Sequence, residues 1–118
     1  MRVAFPTNNL KTISNHTALS RYIAIVEIKN GEIGERIAIK NPVHELVKNS
    51  SHDGEHPRGM GAGKIIPQIL ADYGVDVFVA REIGEGMINN LETMGIRVIV
   101  SDEREIEKII NKIIEGMK

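Results

Sequence analysis

The chain has 118 residues, 42% hydrophobic and 26% charged, with a formal net charge of −1 and no cysteine. That length fits one domain over residues 1–118, and scattered Lys and Arg exclude the concentrated basic face that a nucleic-acid backbone requires. Without cysteine there are no disulfides, thiolate nucleophiles or cysteine-held zinc or iron–sulfur centres, so any metal falls to His, carboxylate or backbone.

Arg2-Val3-Ala4-Phe5-Pro6 reads as a first strand, stopped by Pro6, and the polar stretch 7–17 as a loop. Tyr22–Ile28, rich in β-branched residues, is a second strand. Asn30-Gly31 is a tight-turn pair that makes it a hairpin with a third strand, Ile33–Lys40. Ile33, Ile37 and Ile39 are expected on one face of that strand. A long connection, 41–60, follows. From Gly61 to Tyr73 the apolar residues Ile65, Ile66, Ile69, Leu70 and Tyr73 recur at helical spacing. Pro67 is placed near the start of this helix and Gly74 at its stop.

Val75–Ala80 is a continuous apolar run, the pattern of a strand buried on both faces. After the loop Arg81–Gly84, residues 85–94 form a helix with Met87, Ile88, Leu91 and Met94 inward, ended by Gly95. Ile96–Val100 is the last strand, and Ser101 or Asp102 is expected to cap a final helix. That helix carries a stripe of Ile106, Ile109, Ile110, Ile113, Ile114 and Met117. The order β-β-β-α-β-α-β-α implies a mixed α/β sheet of five strands with helices on both faces. No apolar run is long enough to span a bilayer, and no cleavable leader is visible, so the expected location is cytoplasmic.

In such sheets ligands collect at the carboxyl ends of the parallel strands, where three loops should meet: 7–17, the loop into Gly59–Gly63, and Arg81–Gly84. The stretch His52-Asp53-Gly54-Glu55-His56-Pro57-Arg58-Gly59-Met60-Gly61-Ala62-Gly63-Lys64 is therefore the candidate site. Gly59, Gly61 and Gly63 ahead of a helix can present bare N–H groups to an anion, or can serve as a hinge or a close packing contact. Both nucleotide-loop patterns fail: Arg58 and Ile65 stand where the phosphate loop needs Gly and Ser or Thr, and Lys64 where the dinucleotide fingerprint needs Gly. His52 and His56 are four apart, but Gly54 and Pro57 oppose the helix that would align them. They are ligand candidates or solvated loop histidines. Arg81 and Glu82 end the fourth strand, as functional side chains or as a solvated ion pair. No serine sits in a nucleophile elbow, so nothing signals hydrolytic catalysis.

Gly59-Met60-Gly61-Ala62-Gly63-Lys64, Gly74-Val75-Asp76-Val77, Glu82-Ile83-Gly84, Leu91 and Gly95-Ile96 resemble the dinitrogenase iron–molybdenum cofactor biosynthesis family, the NifX-like domain also found at the carboxyl end of NifB. Arg2-Val3-Ala4-Phe5-Pro6, His16 and the Tyr22–Ile28 strand are also similar. The resemblance implies a ribonuclease H-like fold. It also implies a non-catalytic protein that binds or carries an iron–sulfur or iron–molybdenum cluster precursor. His16, His52 and His56 would be its metal ligands, with Gly59, Gly61, Gly63, Lys64, Arg81 and Glu82 beside them. The implied partners are the metallocluster and its donor or acceptor protein, for a monomer or weak homodimer that binds neither nucleic acid nor membrane. The chain departs from the family pattern where Thr17-Ala18-Leu19 replace Phe-Gly-Arg, at Arg81 in place of Gly and at Glu85 in place of Pro. The alternative is a regulatory or interaction domain that binds a small anion or nucleotide and no cluster.

Overall fold

The computed structural model describes residues 1–44 and 62–117. Strands β1 (Arg2–Thr7), β2 (Tyr22–Lys29) and β3 (Glu32–Lys40) are followed by α1 (Ala62–Asp72), β4 (Val77–Ala80), α2 (Glu85–Thr93), β5 (Arg97–Val100) and α3 (Ile106–Gly116). The sheet order is β3-β2-β1-β4-β5. β1, β4 and β5 are parallel, while β2 and β3 join as an antiparallel meander. This is the mixed α/β sheet expected from the element order.

Alternation along the strands sorts the side chains into two cores. Ala4, Ile23, Ile25 and Phe78 face α1 and α2, where Ile66, Leu70, Met87 and Leu91 meet them. Val3, Phe5, Val26, Ile28 and Val79 face α3 through Ile106, Ile109 and Ile110. The helices therefore lie on opposite faces. Helices α1 and α2 end alike: Gly74 and Gly95 take φ +68° and +81°, and the next amides, of Val75 and Ile96, reach back 2.9 Å to Leu70 O and Leu91 O. These are glycine-terminated Schellman closures. The closure of α1 uses the Val75 amide, so β4 begins at Val77 rather than at Val75.

Several local expectations are corrected. Pro6 does not stop β1, which runs on to Thr7. Its carbonyl accepts the Ser14 amide at 2.7 Å, and a residue's N–H and C=O point the same way. The missing N–H therefore faces away from β2, beyond the last β1–β4 pair at Ala4↔Phe78, and removes no ladder bond. Asn30 and Gly31 do form the hairpin turn, both at positive φ. Beyond it, however, β3 bulges. Two steps on β2, from Val26 to Ile28, are matched by three on β3, from Arg36 to Ile33. The extra residue turns Ile33 away from the face of Ile37 and Ile39, leaving it 37% exposed.

Pro67 is the sixth residue of α1 rather than a first-turn residue. It cannot donate to the carbonyl of Gly63, four residues back. Asn90 of α2 does so instead, with Nδ2 2.6 Å from Gly63 O. On α2, Met94 is 43% exposed rather than inward, and on α3 Met117 is 50% exposed at the end of the stripe. The cap of α3 is Glu105 rather than Ser101 or Asp102. Ser101 Oγ accepts the Glu103 amide, and the Glu103 carboxylate accepts those of Arg104 and Glu105. These side chains close a turn ahead of the helix. The Ile106 amide is satisfied by Lys11 O at 3.0 Å.

Candidate functional site

The carboxyl ends of β1 and β4 carry the loops 8–21 and 81–84. The first loop turns both ways across the sheet. Buried Thr7 accepts the Asn9 and Leu10 amides on Oγ1 and donates to Thr12 O, while Asn9 Oδ1 accepts the amides of Lys11 and Thr12. This compact turn puts Leu10 at φ 65° and delivers Ile13 to the α3-side core.

Residues 14–20 turn the other way, toward α2. Ser14 Oγ accepts the His16 amide and donates to His16 O. Asn8 Oδ1 accepts the Arg21 amide at 2.9 Å, and Ser20 Oγ donates to Thr17 O. Thr17, 4% exposed, donates from Oγ1 to Glu82 O at 2.5 Å, joining the two loops across 65 residues of chain. Asn41, wholly buried, donates from Nδ2 to Ser20 O at 2.9 Å and to Ala18 O at 3.2 Å. Its Oδ1 accepts the Val43 amide at 3.0 Å, so it also caps the helical residues 42–44, with Pro42 in the first helical position. His44 Nδ1 lies 3.1 Å from Leu19 O; a carbonyl only accepts, so this nitrogen carries the proton.

The result is a fixed cleft of about 380 Å³ lined by His16, Thr17, Leu19, Glu82, Ile83 and Met87 among others. His16 and Glu82 stand at its mouth with side chains 71% and 68% exposed, and His16 Nδ1 is 3.4 Å from Glu82 Oε2. Met87 ties this cleft to α1. A Cβ built on Gly63 would lie 3.9 Å from the Met87 amide nitrogen, so the second residue of α1 packs closely on α2.

Of the residues singled out from the sequence, His16 and Glu82 are thus brought together, and Gly63 packs behind the same cleft. Arg81 turns elsewhere: its Nη1 donates to Asp102 O at 2.7 Å, beside β5. It forms no pair with Glu82 of the kind the adjacent residues suggested. Lys64 is an exposed residue of α1. His52, His56, Gly59 and Gly61 lie outside the described residues. Among the described residues no group of three or more His, Asp or Glu could hold a metal ion. No helix there is long and apolar enough to cross a membrane.

The sequence reading missed Asn41, Thr17, Ser20 and Asn8, which build the loop that holds His16. One signal was present. Asn-Pro at 41–42 is an N-cap followed by a favoured first helical residue. Thr17 and Asn8 bond main-chain atoms 65 and 13 residues away, and Ser20, whose hydroxyl donates to Thr17 O three residues back, also accepts from Asn41 across 21 residues, so no local pattern marks them.

The fold recurs in solved structures. The structure named PH0822 superposes with a TM-score of 0.74 at 23% identity, covering 98% of this chain and 92% of that one. The apo form of the orange protein from Desulfovibrio gigas matches with a TM-score of 0.69 at 17% identity, covering 98% and 88%. In sequence, protein MJ0580 of Methanocaldococcus jannaschii is 28% identical over 116 residues, 98% of this chain and 87% of that protein. The family model described as dinitrogenase iron-molybdenum cofactor matches residues 1–116. A match over nearly the whole length, on the fold that the elements build, settles the relationship: the chain belongs to the dinitrogenase iron–molybdenum cofactor family.

Proposed function

We propose that this protein is a non-catalytic carrier that holds an iron–sulfur or iron–molybdenum cluster precursor as cargo and exchanges it with donor and acceptor proteins. The observation that carries the reading is the His16 loop. An exposed imidazole is held at the carboxyl ends of the parallel strands by buried Asn41 and Thr17. Buried polar bonds of this kind fix a ligand's position before the cargo arrives, which lowers the ordering cost of binding.

Connectivity supports the same site. The segment bearing His52, His56, Gly59 and Gly61 leaves the described chain at His44, docked on Leu19, and re-enters at α1, where Gly63 packs against Met87 of the cleft. The described residues on either side of that segment, His44 and Gly63, thus each contact a residue that lines the His16 cleft. In this reading His16, His52 and His56 ligate metal. Gly59, Gly61 and Gly63 offer amides to anionic sulfide, and Lys64 balances the charge. Glu82 borders the ligand. Arg81, drawn to Asp102, is at most peripheral. Family membership supports the cluster as cargo, and a cytoplasmic location follows from that chemistry.

The test is an anaerobic titration with an iron–sulfur cluster donor, followed by absorption and metal analysis. Stoichiometric uptake in the wild type that is lost in a His16→Ala/His52→Ala/His56→Ala variant is the expected result. Wild-type protein that gains no charge-transfer absorption and no iron would sink the reading. Thermal stabilisation by phosphate or nucleotides, unchanged in the triple variant, would then point to the anion-binding alternative at the start of α1.

A further inference from the structure

We infer that Glu82 is a positioning residue, which orients His16 so that its Nε2, not its Nδ1, meets the metal. This rests on the carrier reading above for what Nε2 binds, but not for the orientation itself.

The geometry is local. Nδ1 is the His16 ring nitrogen that meets the carboxylate, 3.4 Å from Glu82 Oε2. An ionised carboxylate only accepts, so a neutral His16 facing it places its proton on Nδ1 and leaves the Nε2 lone pair free. A ligating histidine commonly gives its other N–H to a carboxylate or carbonyl, which fixes the tautomer and raises the basicity of the ligating nitrogen. At 3.4 Å the two groups make an ion-pair contact, and a small approach would complete the hydrogen bond.

The pairing is also built rather than incidental. Thr17, the residue after His16, donates to the main-chain carbonyl of Glu82, so the loop of one partner is bonded to the backbone of the other. The Ser14 hydroxyl bonds both the amide and the carbonyl of His16, fixing the main chain from which the ring projects. The backbones that carry the two exposed side chains are thereby held side by side. A carboxylate standing alone beside a sulfide-rich, anionic cargo would repel it. Engaged with an imidazole N–H, the same carboxylate instead strengthens the ligand.

The apo protein tests the orientation without any cluster. At about pH 8, above the ordinary imidazole pKa, long-range ¹H–¹⁵N correlation spectra report which ring nitrogen carries the proton. His16 is expected as the Nδ1–H tautomer in the wild type and to shift toward Nε2–H in Glu82→Ala. Glu82→Gln, which keeps an oxygen acceptor, should restore part of the preference, and Thr17→Val should weaken it by freeing the Glu82 backbone. Cluster uptake from the same donor should then weaken about 10- to 100-fold in Glu82→Ala. A wild-type His16 in the Nε2–H form, or a tautomer indifferent to Glu82→Ala, would overturn the proposal. So would uptake that needs His16 but is equal in wild type and Glu82→Ala. A Glu82-dependent tautomer in a protein that takes up no cluster would uphold the orientation and overturn the carrier reading instead.

Discussion

The middle of the sheet and its carboxyl end are stabilised by different physics. In the middle, Ile, Val and Phe side chains pack on both faces with almost no polar partner. At the carboxyl end the His16 loop packs few apolar side chains and is held by Asn41, Thr17, Ser20, Ser14 and Asn8, each bonding main-chain atoms or one another. Apolar packing is non-directional and tolerates swaps that keep volume. Side-chain bonds to backbone are directional and fail singly, because the partner left behind is unsatisfied. The contrast separates a core that tolerates repacking from a loop whose geometry depends on single bonds.

The largest expected effect lies in the middle. Phe78 is wholly buried on β4, and Phe78→Ala should cost about 3–5 kcal/mol in chemical denaturation. It should leave the His16 loop as ordered in the remaining folded protein as before. If that variant loosened the loop selectively, the two regions would not be separable.

Asn41→Ala is the converse. It strips donors from Ala18 O and Ser20 O and an acceptor from the Val43 amide, at about 1–3 kcal/mol. Amide exchange should accelerate most in residues 14–20 and least in β1 and β4. Uniform acceleration throughout would show that Asn41 supports global stability rather than the loop.

A smaller effect is expected where α1 meets α2. Asn90→Ala removes the donor to Gly63 O and should cost about 1 kcal/mol. In a double-mutant cycle, Pro67→Ala restores a helix N–H to that carbonyl, so the Asn90 penalty should shrink. An Asn90 penalty of equal size in the wild-type and Pro67→Ala backgrounds would show that Asn90 acts in some other way.

The smallest is the bridge from β3 to α3. The hydrogen bond from the Arg36 guanidinium holds the Glu107 carboxyl below its ordinary value. A depressed carboxylate contributes stability above its unfolded pKa and loses it as pH falls through the folded one. The wild-type advantage over Glu107→Gln should therefore be present at neutral pH and vanish in acid, and at this exposed site it should stay below about 1 kcal/mol. An advantage that grew on acidification would have the wrong sign for this pair.

How much of this was legible beforehand depended on range. The Asn30-Gly31 turn and the helix ends at Gly74 and Gly95 follow from residues a few positions apart, and the structure has them where the residues put them. The Ile33 face, the role of Pro67 and the cap of α3 were misjudged for a common reason. Each was decided by how chain segments pair: a bulge in the β2–β3 hairpin that alternation does not reveal, and, for the other two, the distant partners Asn90 and Lys11. His16 could be named from a family resemblance, but its pairing with Glu82 could not, because 65 residues separate Thr17 from the carbonyl it bonds.

The sequence by itself determined the order of elements, the sorting of apolar residues onto two faces of a mixed sheet, and the meeting of the loops after β1 and β4 at one end of that sheet. Periodicity, glycine stops and the rules of strand connection act locally or on whole elements, so one chain's pattern carries them. Only the tertiary structure decided which side chains share the cleft. It paired His16 with Glu82, turned Arg81 to Asp102 and placed Asn41 beneath the loop. Those outcomes depend on ångström-scale distances between segments brought together by folding, and periodicity along the chain does not encode them.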